Sequence, residues 1–226
     1  MKKIGIVFAM EQEFLPVFDV LGTLEKKEGT QGFPVSVYKN ADKTVYAIVS
    51  GVGQIRASAA TQLLISKYSA ECVLNFGLAG GLAEGIRALD TVLVDSVVQA
   101  DFDLSAGFNY VKGQHSGFSS PFIKTDRKLL EKAMRLADFP VVVCASADRF
   151  VDSRRDREAV NKEFGAHICE MEAAGVQLAS MLNGVPALFV KTVSDGIDGG
   201  ATEFFAVADK AVNEYKWFLK ELLKVL

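Results

Sequence analysis

Four stretches of the sequence hold residue types able to do acid–base or recognition chemistry, and each follows an apolar run. Glu13 comes just after the run at 3–9 (KIGIVFA). The glycine-rich turn Gly77-Leu78-Ala79-Gly80-Gly81 follows the run at 72–76. Glu170-Met171-Glu172 lies between Ile168-Cys169 and Ala173-Ala174-Gly175. Ser194-Asp195 ends the apolar stretch that starts at 187. Small apolar flanks leave at least one of Glu170 and Glu172 poorly solvated. A carboxylate so placed needs hydrogen-bond donors, and sugar hydroxyls are good ones. The same pair can instead serve only a helix N-terminus. In a desolvated pocket the Asp195 pKa would rise and fit it to donate a proton, although a lone Asp at a strand end is often just a cap. Glu13 reads either as a first-turn helix charge or as a general base. The glycines let backbone N–H groups approach a ligand, or simply make a tight turn. Neither a dinucleotide fingerprint nor a phosphate loop is present at 51–53 or 77–81.

The elements that must position these residues alternate in period. Short β-rich runs predict strands at 3–9, 35–38, 44–50, 72–76, 91–98, 140–145, 166–169 and 187–193. Helical patterns fall at 14–21, from Gly53 to Tyr68, from a Thr125 cap to Ala137, from Ser153 to Gly165, at 172–182 and from about 202 to the end. Pro16 is tolerable only near the start of its helix. Residues 101–121 are polar, Gly-rich and aromatic without a period, and read as a long loop. The alternation predicts an α/β fold over a single domain, 1–226: a three-layer α/β/α sandwich on a largely parallel mixed sheet. In such sheets ligands bind beyond the carboxyl ends of the strands, where all four stretches lie.

Composition removes several classes. The chain has 226 residues, 50% hydrophobic and 23% charged, enough for a core without disulfides or metals. The net charge of −3 argues against nucleic acid as a partner. The densest basic cluster, Arg149 to Arg157, is interrupted by Asp152 and Asp156. Three cysteines, Cys72, Cys144 and Cys169, sit in apolar runs and suit a reducing, cytoplasmic compartment. Two histidines, His115 and His167, are too far apart for a zinc motif. No apolar run approaches a membrane span.

Taken together, the segments resemble the methylthioadenosine/S-adenosylhomocysteine nucleosidase family of the nucleoside phosphorylase superfamily. The resemblance rests on 5–13 (GIVFAMEQE), 50–53 (SGVG), 75–82 (NFGLAGGL), 170–175 (EMEAAG) and 193–195 (VSD), in order along nearly the whole chain. It implies hydrolysis of the N-ribosidic bond of a 5′-substituted adenine nucleoside, with no metal or cofactor. The transition state would be like an oxocarbenium ion. By the same resemblance Asp195 protonates the base, Glu13 takes a proton from water, and Glu172 accepts from the ribose hydroxyls and opposes the growing positive charge. Met171 packs on the ribose, Phe150 stacks on the base and the Val151 backbone reads its edge. Val52, Leu78, Ala79, Gly80, Glu170 and Ser194 complete the implied substrate-binding set. A homodimer is implied, with the loop at 101–121 reaching the partner's site.

The sequence departs from the family pattern at Leu78, where serine is usual, and at Lys191, where arginine is usual. The segment between Asp198 and Phe204 is short, and Ala201 stands about where an aromatic closes the 5′ pocket. Two other readings compete. A purine nucleoside phosphorylase would keep the fold and use phosphate, with Arg56, Arg149 and Lys191 as candidate anion ligands. A non-catalytic nucleoside-binding protein would have no need of both Glu13 and Asp195.

Overall fold

The computed structural model describes residues 1–226. Ten strands form one mixed sheet: β1 (Lys3–Phe8), β2 (Thr23–Gly29), β3 (Pro34–Asn40), β4 (Lys43–Val49), β5 (Cys72–Gly81), β6 (Thr91–Gln99), β7 (Phe122–Lys124), β8 (Val141–Ser146), β9 (Ile168–Glu170) and β10 (Ala187–Asp195). Parallel pairs β1–β4, β1–β5, β5–β10, β6–β8 and β8–β9 dominate its centre. The antiparallel β2–β3–β4 meander makes one edge. Strand β2 was not expected. Its sequence, TLEKKEG, is almost wholly exposed, as suits a charged edge strand.

The seven helices are α1 (Glu11–Phe14), α2 (Gln54–Tyr68), α3 (Arg127–Met134), α4 (Arg154–Phe164), α5 (Ala173–Leu182), α6 (Gly200–Glu214) and α7 (Lys216–Val225). Two large cores lie on opposite faces of the sheet. One contains Ala57, Ala60 and Leu64 of α2 with Ala173, Ala174 and Val176 of α5. The other contains Leu129 of α3, Ala208 and Ala211 of α6, and Phe218 and Leu222 of α7. This is the expected layering. The sheet also curls: β5 pairs with β10, β10 with β6, β6 with β8, β8 with β9, and β9 returns to β5. Five strands thus close a ring, and β1–β4–β3–β2 extends from it as an open wing.

Four local expectations change. The helix expected at 14–21 is only the single turn α1 and a 3-10 turn at Phe18–Val20, because Pro16 interrupts the hydrogen-bond ladder between them. Thr125 does not cap α3. Its hydroxyl donates to Val94 O, and Asp126 caps Leu129 N at 2.8 Å instead. The last helix breaks at Tyr215 into α6 and α7. Residues 77–81 are not a loop. They continue β5, paired with β10 on one side and with β9 at the end.

Candidate active site

That extended β5 creates the site. On one edge β1 runs beside Cys72 to Asn75, and β9 joins only at Gly80. Between them the backbone of β5 lacks a strand partner on that edge, and Glu13 fills the gap. Its Oε1 accepts Leu78 N at 2.9 Å, while Oε2 accepts Ala9 N at 2.8 Å and Met10 N at 3.0 Å. One buried carboxylate therefore satisfies three backbone donors and ties α1 to β5. Gly77 is required at this approach, since a Cβ there would stand 2.7 Å from Glu13 Oε1. Behind α1, Tyr215 donates its hydroxyl to Glu13 O at 2.9 Å, so the break between α6 and α7 clamps the same turn. Burial pushes the Glu13 carboxyl up from its ordinary value, against the opposing pull of Lys191 and the three N–H groups.

Next to Glu13 lies a second acidic group. Glu170, at the end of β9, accepts from Glu172 N and Ala173 N, the start of α5, and from Lys191 Nζ at 3.0 Å. Glu172 Oε1 accepts Gly53 N at 2.9 Å. Gly53 holds φ at +107°, a conformation L side chains rarely adopt, and so turns its N–H toward this carboxylate. Burial first, then repulsion from Glu170, pushes the Glu172 carboxyl up to about 8, with Lys191 pulling the other way. For the Lys191 ammonium, burial acts to lower the pKa. The field of Glu170, Glu172 and Glu13 overcomes it and holds the group at about 12.

The fourth carboxylate, Asp195, is fully buried at the end of β10. Its Oδ1 takes the Ser194 hydroxyl at 2.5 Å, and its Oδ2 pairs with Arg157 Nη2. Burial raises the Asp195 pKa, while Ser194 and Arg157 act to lower it. Arg157 has no exposed surface. It also donates to the carbonyls of Val151, Gly81, Asp195 and Gly196.

All four carboxylates, Glu13, Glu170, Glu172 and Asp195, line one cleft of about 280 Å³, the small end of the range for ligand pockets. Its remaining walls are mainly apolar and include Met10, Val52, Leu78, Phe150, Met171 and Phe204. Phe150 and Phe204 meet edge to face with centroids 5.8 Å apart. Cys169 also faces the cleft, but burial pushes its thiol up to about 12, so it is no thiolate nucleophile. Such a cleft suits a flat apolar base joined to a hydroxyl-rich sugar, with an acid at one end and a base at the other.

Comparison with known proteins agrees. The family model described as the phosphorylase superfamily matches residues 3–224. Aminodeoxyfutalosine nucleosidase of Helicobacter pylori is 31% identical over the whole of both chains. The 5′-methylthioadenosine/S-adenosylhomocysteine nucleosidase of Treponema pallidum is 32% identical, over 85% of this chain and 81% of its own. The chain belongs to the nucleosidases of the phosphorylase superfamily. A crystal structure of the Helicobacter pylori 5′-methylthioadenosine/S-adenosylhomocysteine nucleosidase, complexed with an aminopyrrolopyrimidine–pyrrolidinol compound, superposes with a TM-score of 0.94 at 28% identity. It covers 100% of this chain and 99% of that one.

In this nucleosidase the structure gathers every residue anticipated from sequence around the one cleft: Glu13, Val52, Leu78, Ala79, Gly80, Phe150, Val151, Glu170, Met171, Glu172, Ser194 and Asp195. The anion ligands expected of a phosphorylase do not assemble. Lys191 is buried against Glu170, Arg56 donates to Ser50 O outside the cleft, and Arg149 at the cleft pairs with Asp156 at 3.6 Å. His115 stacks on Phe102 and stays out of the cleft. Sequence reasoning missed Arg157, Phe204 and Phe205, and did not place Met10 or Cys169 on the cleft. The aromatic absent at Ala201 is replaced from the first turns of α6, where Phe204 and Phe205 flank the cleft beside Ala201. Their adjacency in TEFFAVA was the available signal.

Proposed function

We propose that this nucleosidase hydrolyses adenine nucleosides bearing a 5′-thioether, methylthioadenosine and S-adenosylhomocysteine, to free adenine and the thioribose. The observation that carries this is the set of four buried carboxylates, at or just beyond the ends of β1, β9 and β10, around one apolar cleft. Asp195 gives its proton to N7 of adenine. The C1′–N9 bond breaks, with its electron pair passing to the base. Water adds to C1′ as Glu13 takes its proton, and a Glu13 pKa raised by burial makes that base stronger. Glu172 accepts the ribose hydroxyls and opposes the charge on the sugar. Met171 packs against the ribose. Phe150 and the Val151 backbone hold the base. Similarity to the 5′-methylthioadenosine/S-adenosylhomocysteine nucleosidases supports the 5′ group, and the apolar mouth around Phe204 and Phe205 suits a thioether.

The chain works as a single domain, 1–226, in the cytoplasm and as a homodimer. Support for the dimer comes from Ile55, Phe108 and Val111, large apolar side chains left exposed on α2 and on the loop at 101–121. No helix is long and apolar enough to cross a membrane.

The test is release of adenine from methylthioadenosine, S-adenosylhomocysteine and adenosine, each with and without phosphate. Release from the thioethers independent of phosphate is expected. A requirement for phosphate, or preference for unsubstituted adenosine, overturns the reading. Light scattering at micromolar concentration checks the dimer, and a monomer there refutes it.

A further inference from the structure

Arg157 lies in a helix whose exposed face carries Arg154, Arg155 and Glu158, yet it turns inward and is completely buried. A buried guanidinium is costly unless all its donors are used. Here Nε, Nη1 and Nη2 together reach four backbone carbonyls and one carboxylate oxygen. The carbonyls belong to Val151 beside the base, to Gly81 of β5, and to Asp195 and Gly196 themselves. The guanidinium thus fixes the acid relative to the wall that reads the base.

We propose that Arg157 is the positioning residue of the acid: it holds Asp195 Oδ2 and leaves Oδ1 to carry the proton to the base. Ser194 completes the device. Its hydroxyl lies 2.5 Å from Asp195 Oδ1 and 3.3 Å from Ala79 O. When Asp195 is ionised the hydroxyl donates to Oδ1. When Oδ1 is protonated and turned to the substrate, the hydroxyl rotates to Ala79 O. The proton then passes from Oδ1 to N7, C1′–N9 breaks with its pair on the leaving base, and the carboxylate left behind is matched by the guanidinium. Solvent returns the proton for the next turnover. This inference rests on the assignment of Asp195 as the acid.

The experiment uses two substrates and the full chain. Methylthioadenosine needs a proton on its leaving group, whereas p-nitrophenyl 5-methylthioriboside releases a phenolate that needs none. Asp195→Asn and Arg157→Met should each lose about 10²-fold or more in kcat/KM on the nucleoside and only about threefold on the aryl riboside, the span general-acid catalysis covers. Equal losses on both substrates for Asp195→Asn overturn the acid itself. A selective Asp195→Asn with an unselective Arg157→Met leaves the acid standing and overturns the present inference. The pH profile on methylthioadenosine gives a second readout, so a partly unstable variant remains informative. The other groups facing Asp195 are Glu203 of α6 and the Cys169 thiol. Removing the cation raises the Asp195 pKa, so the alkaline limb of Arg157→Met should move to higher pH as its plateau falls. Arg157→Lys should bring it part of the way back. An unmoved limb refutes the inference, since a purely structural loss lowers the plateau alone.

Discussion

The two ends of the cleft bury carboxylates in opposite ways. At the sugar end Glu13, Glu170 and Glu172 share one buried cation, Lys191, so the charges do not balance. At the base end Asp195 has a guanidinium of its own. The imbalance keeps Glu172 protonated in the empty site and is chemically apt where a positively charged sugar forms, because its carboxylate is then favoured in the transition state and not before. The matched pair is apt where a carboxyl loses its proton and must be stable afterwards. Under the proposed mechanism the same residue type serves electrostatic stabilisation at one end and proton transfer at the other, and the neighbouring cations make the difference.

The contrast can be broken at several points, taken from the largest expected effect down. Asp195→Asn keeps shape and removes the proton, and should lower kcat by about 10²–10⁴-fold with nucleoside binding retained in calorimetry. Near-native turnover would dissolve the distinction at the base end. Glu172→Gln should lower kcat by about 10²–10³-fold, the scale for removing one preorganised electrostatic partner.

That same variant has a stability signature. The folded-state pKa of Glu172, about 8, lies above the ordinary 4.5, so between these values the native state holds a proton that the unfolded chain has released. Stability of the empty protein should therefore fall as pH rises through that window. Glu172→Gln should flatten the fall in thermal melts from pH 5 to pH 8, and an unchanged slope would remove Glu172 from the unbalanced group.

Lys191→Met leaves Glu170 without its ammonium and should cost about 3–5 kcal/mol in urea unfolding, as for other broken buried pairs. A loss near zero would mean that the sugar end tolerates a still larger imbalance. The smallest effect belongs to Phe205, 82% exposed at the mouth. Phe205→Ala should raise KM for 5′-thioethers by less than about tenfold with kcat unchanged, below the roughly 10–200-fold of an enclosed apolar contact because most of this ring is in water.

The sequence made the strand ends legible and hid their counter-charges. Glu170-Met171-Glu172 and Ser194-Asp195 lie beside apolar runs, so local pattern sufficed to mark them. Arg157 was hidden because the acid it pairs with is 38 residues away, and its cluster looks like a solvated helix face. Lys191 was noticed but read as a candidate anion ligand, because its partner Glu170 is 21 residues away and local pattern does not show the pairing. The glycines at 77–81 pointed to a turn. Only the return of β9 to Gly80, set by distant pairing, makes them part of a strand. The break at Tyr215 has no proline or glycine to announce it. It is fixed by a hydroxyl reaching the first helix.

The ring of five strands is closed unevenly. Strands β5 and β10 pair along most of their length, from Val73–Ala187 to Gly80–Asp195, whereas β5 and β9 meet only at Gly80–Cys169 and Gly81–Ile168. Such a short seam is where a ring opens first in native-state fluctuations. It also lies against the cleft, with Gly80 on one side and Cys169 to Glu172 on the other. In the proposed binding mode a nucleoside spans the seam like a stitch. The amide of Leu82, which bonds His167 O just past the last pair, should therefore gain more protection from hydrogen exchange on ligand binding than the amides along β10.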